Sequence, residues 1–255
     1  TAPALMLVAV RARAPAHDQR DSTRRALSAT HRHGAQDISS PTVSMTATAT
    51  PAQIADLPLF PLGTVVFPGG LLPLRIFEAR YLDLMTDCLR SGASFGVVTL
   101  GQGDEVRRSG AKVTFSQQGC LVSLIDFDSP QAGLLQVSCL GGARFEFVGQ
   151  PREDSNGLWR VDANLLPDDG TEPPPADCAD AVEALRLACT NLAAQERLPF
   201  REPLVFDNAG WVANRWCEIL PIPAPTKLKL MLLPDAAARL RLVADFLRRK
   251  GIVTA

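Results

Sequence analysis

The sequence predicts an α+β protein with a β-rich lobe over 56–166 and a helical lobe over 176–252. Three observations lead there. Short apolar runs separated by Pro, Gly, Asn and Asp signals fill the first segment. Apolar residues at spacings of three and four fill the second. Between them, Pro167–Pro175 holds two Asp, one Gly and three successive prolines, the composition of an exposed loop.

The elements follow in chain order. Leu57–Phe60 and Gly63–Phe67 are apolar runs split by Pro61. Pro68-Gly69-Gly70 reads as a turn, because Pro presets φ and Gly accepts positive φ. Leu71–Arg75 resumes as extended chain. Phe77, Tyr81, Leu84/Met85 and Cys88/Leu89 then share one helix face, predicting a helix over 76–89 that ends at Ser91-Gly92. Phe95–Leu100 is a continuous apolar strand, and Gly101–Gly110 a polar loop carrying Arg107-Arg108 at its tip. Lys112–Ser116, Cys120–Phe127, Leu134–Leu140, Ala143–Gly149 and Leu158–Leu166 read as further strands, parted by Gln-Gly, Asp-Ser-Pro, Gly-Gly and Asn-Gly. Many short strands around one early helix argue for a curled, mostly antiparallel sheet or pseudo-barrel.

Past the proline loop, Val182, Leu185, Cys189 and Leu192 give a helix face. Asp207 or Asn208 can cap a helix presenting Val212, Trp216 and Ile219, which stops at Pro221. A short helix is expected at Thr226–Leu232. Pro234 fits the first turn of a last helix lined by Leu240, Val243 and Leu247. Its final turn carries Arg248, Arg249 and Lys250, which complement the helix dipole. Trp211 and Trp216 read as core anchors of this lobe.

Composition narrows the function. The chain of 255 residues is 46% hydrophobic and 21% charged, which permits a sizeable core and excludes a wholly disordered chain. Its net charge of -1 implies neither a nucleic-acid nor a membrane partner. No apolar run approaches the roughly 20 residues of a membrane span. Residues 1–55 carry six Arg against three Asp and no sustained period, and read as a disordered extension or a misplaced start ahead of Met45. The six cysteines form no C-x-x-C pair and read as buried free thiols of a cytoplasmic protein.

Chemistry is sparse. All three histidines, His17, His31 and His33, lie in the tail, so the folded part has no imidazole base or metal ligand. There is no phosphate-cradling loop, no dinucleotide fingerprint and no nucleophile elbow. The carboxylate pairs Asp126/Asp128 and Asp168/Asp169 read as turn residues. No catalytic, cofactor-binding or metal-ligating residue is therefore expected.

One stretch is more specific. Leu57-Pro58-Leu59-Phe60-Pro61-Leu62-Gly63, Val65-Val66-Phe67-Pro68-Gly69 and Leu72-Pro73-Leu74-Arg75-Ile76-Phe77-Glu78-Ala79-Arg80-Tyr81 together resemble the N-terminal substrate-binding domain of Lon proteases. Phe95–Val98 and the late stretches Trp211–Arg215 and Glu218–Pro223, with Lys227 after them, extend the likeness to residue 250 or so. Ala79 stands where the family motif often has Pro. The ATPase and Ser–Lys peptidase modules of those proteases are absent from these 255 residues, so the chain is similar to stand-alone bacterial Lon-domain proteins. The resemblance implies a PUA-like β lobe followed by a helical lobe. It implies a non-enzymatic module that binds unfolded protein or peptide segments. Such a module would act as a substrate-recognition adaptor linked to proteolysis, with a protease or chaperone as partner. RNA binding, by analogy with other PUA-like folds, is the alternative. Arg75, Glu78, Arg80 and Tyr81 are the candidate peptide-binding residues. Each also has a structural reading, with Glu78 at a helix N-terminus, an arginine paired to it and Tyr81 packed.

Overall fold

The computed structural model describes residues 51–102 and 113–253. The 1–50 tail, the Arg107-Arg108 loop tip and Lys112 lie outside these residues. The described chain begins with strands β1 (Gln53–Leu62) and β2 (Leu71–Ile76), helix α1 (Ala79–Ser91) and strand β3 (Phe95–Gln102). Two long strands follow, β4 (Thr114–Gln131) and β5 (Leu134–Glu153), then β6 (Trp159–Leu165). A single 3₁₀ turn (Ala176–Cys178) leads into α2 (Ala179–Ala194), α3 (Ala209–Ile219), α4 (Ala224–Met231) and α5 (Ala236–Arg249). The architecture is α+β, as the sequence predicts.

The strands form one sheet in the order β2-β5-β4-β3-β1-β6, and β6 also pairs with β5. The pairings therefore run in a ring, β5–β4–β3–β1–β6–β5, with β2 attached to the first half of β5. All pairs are antiparallel except β1 with β3. Strand β2 has β5 as its neighbour and keeps its other edge open among the described residues.

Several boundaries differ from the sequence reading, each for a physical reason. Pro61 does not interrupt β1. It lies beyond the β6 pairing, where the strand has one open side and a missing N–H is tolerated. Gly63–Phe67 is irregular, not extended. Gln118-Gly119 and Gly141-Gly142 are not turns but strand interiors, so four expected strands merge into two. A Cβ at Gly119 would meet the Val97 carbonyl oxygen at 2.2 Å, and one at Gly141 the Phe67 carbonyl oxygen at 2.2 Å. These glycines permit close approach of backbones.

Helix α1 starts at Ala79, not at residue 76, because Ile76 stays in the β2 ladder opposite Leu135. Phe77 is consequently off the buried face and 55% exposed. Tyr81, Leu84, Met85 and Cys88 form that face, and Gly92, at φ 70°, donates its N–H to the Cys88 carbonyl and closes the helix. Asn208 caps α3 by accepting from the Trp211 N–H at 2.7 Å. Helix α4 begins at Ala224, two residues before its expected start. Pro234 falls outside α5; Asp235 is the cap, accepting from the Ala238 N–H at 2.9 Å. Asp126 and Asp128 lie within β4, not in a turn.

The main core joins both lobes. Phe67, Phe95, Val122 and Cys139 of the β lobe pack into one cluster with Leu185, Val212, Leu240 and Leu247 of the helices. A smaller cluster, with Leu57, Leu59, Phe145 and Val161, lies among β1, β3, β5 and β6. Trp216 anchors the helices and donates from its indole N–H to the Ala181 carbonyl at 2.9 Å. All six cysteines are free and buried. A buried ionic cluster binds the lobes together. The carboxylate of Asp169 accepts two bonds from Arg239, at 2.6 and 2.8 Å, and pairs with Arg144 at 2.9 Å. Arg144 comes from β5 and Arg239 from α5, so one carboxylate joins sheet to helix.

Candidate functional site

Strand β2 is short, carries Pro73 and has an open edge, features of a strand that does not extend the sheet by default. A depression of about 250 Å³ runs beside it, lined by Phe60, Leu62 and Tyr81 and by every residue from Pro73 to Glu78. Three of the four candidate residues meet here: Arg75, Glu78 and Tyr81. They do so because β2 turns directly into α1, leaving Glu78 as the N-cap residue. Tyr81 forms part of the base. Only 4% of it is exposed, and its ring stacks on Phe60 with centroids 4.0 Å apart. Phe77 and Arg75 stand exposed at the rim. The Arg75 side chain makes no hydrogen bond or ion pair among the described residues.

Arg80 is placed differently. It does not line the depression. It pairs with Glu78 at 2.9 Å, donates to the Gly157 carbonyl at 2.8 Å, and lies over the Tyr81 ring at 4.5 Å. It buttresses the helix start against the β5–β6 turn.

A second depression, of about 200 Å³, is lined by Thr64, Val65 and Val66 and by Gly70, Leu71 and Leu72. Each of these stretches adjoins in sequence one that lines the first depression, so both depressions border β2. The second also reaches the helical lobe through Pro199, Phe200, Glu218, Ile219 and Lys227. A Cβ at Gly70 would meet Glu218 Oε1 at 2.2 Å and the Phe67 carbonyl oxygen at 3.0 Å, so a larger residue there would displace the Glu218 carboxylate. Gly70 also forms an isolated antiparallel bridge with Phe200.

Glu218 accepts from Arg215 at 2.8 Å, and Arg215 donates as well to the carbonyls of Pro68 and Gly69. Burial nevertheless outweighs pairing on both partners. It pushes the Glu218 carboxyl up to about 7 despite the charges of Arg215 and Lys227. It also lowers Arg215 from its ordinary value, against the pull of Glu218. Lys227, which donates to the Glu218 backbone carbonyl at 3.0 Å, is likewise lowered by burial. Sequence reasoning did not single out these groups as a site. Their signal was charge inside an apolar helix, Arg215 and Glu218 three apart among Val212, Trp216 and Ile219.

An open strand edge beside depressions of mixed polar and apolar lining is a geometry that peptide-binding domains use. Residues 56–249 match the substrate-binding domain of the ATP-dependent protease La (LON), and the chain belongs to that family. It is 28% identical over 204 residues to Lon protease 2 of Myxococcus xanthus, covering 76% of this chain and 24% of that protein. It is 25% identical over 205 residues to the Lon protease of Anaeromyxobacter dehalogenans, covering 77% and 23%. The chain thus spans about a quarter of the length of these relatives. Among solved structures, a Lon N-terminal domain protein from Xanthomonas campestris superposes with a TM-score of 0.59 at 30% identity, covering 76% of this chain and 99% of that one. The N-terminal domain of a Mycobacterium avium complex Lon protease shares the fold at 14% identity and a TM-score of 0.50, covering 75% and 97%. No helix among the described residues is long and apolar enough to cross a membrane.

Proposed function

We propose that this domain holds unfolded or extended protein segments along β2, as a substrate-recognition adaptor linked to proteolysis. The observation that carries the reading is the pair of depressions beside an open strand edge. A segment laid there adds a strand to the sheet, with backbone hydrogen bonds supplying affinity and the depressions receiving alternate side chains. Phe60 and Tyr81 offer an aromatic base, Arg75, Phe77 and Glu78 form the rim, and Arg80 holds Glu78 and the Tyr81 ring in place. We read the ring of pairings as a PUA-like pseudo-barrel whose role is to present this edge. Membership of the Lon substrate-binding family supports the link to proteolysis.

The test is fluorescence anisotropy with a labelled, permanently unfolded polypeptide. Arg75→Ala combined with Phe77→Ser is expected to weaken binding about tenfold or more while leaving the melting temperature unchanged, because both side chains are exposed. Unaltered binding by this double variant would move the site elsewhere.

A further inference from the structure

The second depression is closed at one end. Gly70, immediately before β2, is already bridged to Phe200, so a strand added along β2 must stop near Leu71. A chain running antiparallel to β2 would bring its carboxyl end to this point. The charged groups of the depression lie there. Lys227 donates one hydrogen bond to the Glu218 backbone carbonyl and makes no other hydrogen bond among the described residues. Glu218 uses Oε1 toward Arg215, and its second oxygen has no hydrogen bond among the described residues. Two cations face one carboxylate, which leaves one positive charge in surplus. An arriving cation meets repulsion; an arriving carboxylate meets an under-solvated ammonium whose burial it offsets. Val65, Val66, Leu72 and Phe200 supply apolar walls for a terminal side chain.

We propose that the depression lined by Lys227 and Glu218 captures the C-terminal carboxylate of a polypeptide lying antiparallel to β2. This rests on the groove reading above and names the end of the substrate that the groove accepts. Lys227 donates to one carboxylate oxygen. Glu218 in its protonated form donates to the other, so capture takes up a proton. The groups that face Glu218 are Arg215 on α3, Lys227 on α4, and the thiols of Cys120 on β4 and Cys217 on α3. Both thiols are pushed up to about 12 by burial and stay neutral, which leaves Glu218 as the group that titrates near neutrality. Ligand charge favours its protonated form, and affinity therefore falls as pH rises through about 7.

The experiment uses the full chain and three short apolar peptides of one sequence, titrated near pH 6 and near pH 8. The first has a free carboxyl terminus, the second a terminal amide, and the third a terminal amide with one internal Glu. The free acid is expected to bind about tenfold tighter than the plain amide near pH 6, with a smaller advantage near pH 8. Lys227→Met is expected to abolish the advantage of the free acid over the plain amide. Glu218→Gln, an isosteric neutral donor, is expected to keep the advantage and lose its pH dependence. Equal binding of acid and amide overturns the proposal and leaves the groove standing. An internal-Glu amide that matches the free acid overturns the assignment to a chain end. If none of the three binds, the groove reading fails and this one falls with it.

Discussion

Replacing Tyr81 by alanine removes the ring that fastens α1 to the sheet. The residue is 4% exposed, its ring stacks on Phe60 at 4.0 Å with planes 21° apart, and Arg80 covers the other aspect at 4.5 Å. Truncating a buried aromatic costs about 3–5 kcal/mol, of which the ring pair accounts for roughly 0.5–1.5. The cavity cannot close easily, because Met85 and Cys88 on the same face are themselves fully packed. For a domain of this size each kcal/mol lowers the melting point by roughly 2–4 °C, so a fall of about 6–20 °C is expected. Urea unfolding followed by tryptophan fluorescence gives the free energy, and a thermal melt by circular dichroism gives the shift. Arg75→Ala, at the exposed rim of the same depression, serves as the contrast and is expected within about 0.5 kcal/mol of wild type. A Tyr81→Ala protein that melts within about a degree or two of wild type would refute the packing argument and make Tyr81 a ligand-facing residue.

Three further outcomes follow from the same structure. Asp169→Ala strands the buried guanidiniums of Arg144 and Arg239 and is expected to cost about 3–5 kcal/mol by denaturant titration. Burial raises the Asp169 carboxyl, but bonding to Arg239 and the charge of Arg144 outweigh it and hold it below the ordinary value. Its contribution is therefore complete above about pH 4 and lost as pH falls toward the lowered value, so the gap between variant and wild type should narrow in acid. Burial raises every one of the six thiols, Cys88 to about 11 and Cys120, Cys139 and Cys217 to about 12, so an aromatic disulfide reagent should label none at mildly alkaline pH in the native protein and six after unfolding. Gly119→Ala places a methyl group against the Val97 carbonyl and the Phe145 ring and is expected to cost about 1–3 kcal/mol, read as a lower urea midpoint.

Local signals in the chain were legible, and contacts across it were not. Helical faces show as spacings of three and four, which is why Leu185, Cys189, Leu240 and Leu247 are where periodicity puts them. The Asn208 cap is a local hydrogen bond and equally readable. Glycine is ambiguous, since the same residue marks a turn or a close approach of backbones; Gly119 and Gly141 are the latter, and two strands were each divided on that account. Asp169 illustrates the other limit. Its partners are 25, 45 and 70 residues away in sequence, so nothing near it distinguishes a lobe-joining carboxylate from a loop residue. At the candidate site, one contiguous motif supplied Arg75, Glu78 and Tyr81 because β2 and α1 are contiguous. The inward role of Arg80 depends on Gly157, and the Glu218–Lys227 depression depends on chain folding back from α3 and α4.

Backbone amide NMR separates binding of extended polypeptide along β2 from binding elsewhere on the domain. A ¹⁵N-labelled protein is titrated with an unlabelled, permanently unfolded polypeptide. Binding along β2 places the largest shift changes at Phe60–Val66 and Gly70–Tyr81, in the two stretches that wall the depressions. Changes centred instead on the outer faces of α2 and α5, with β2 undisturbed, would contradict the account.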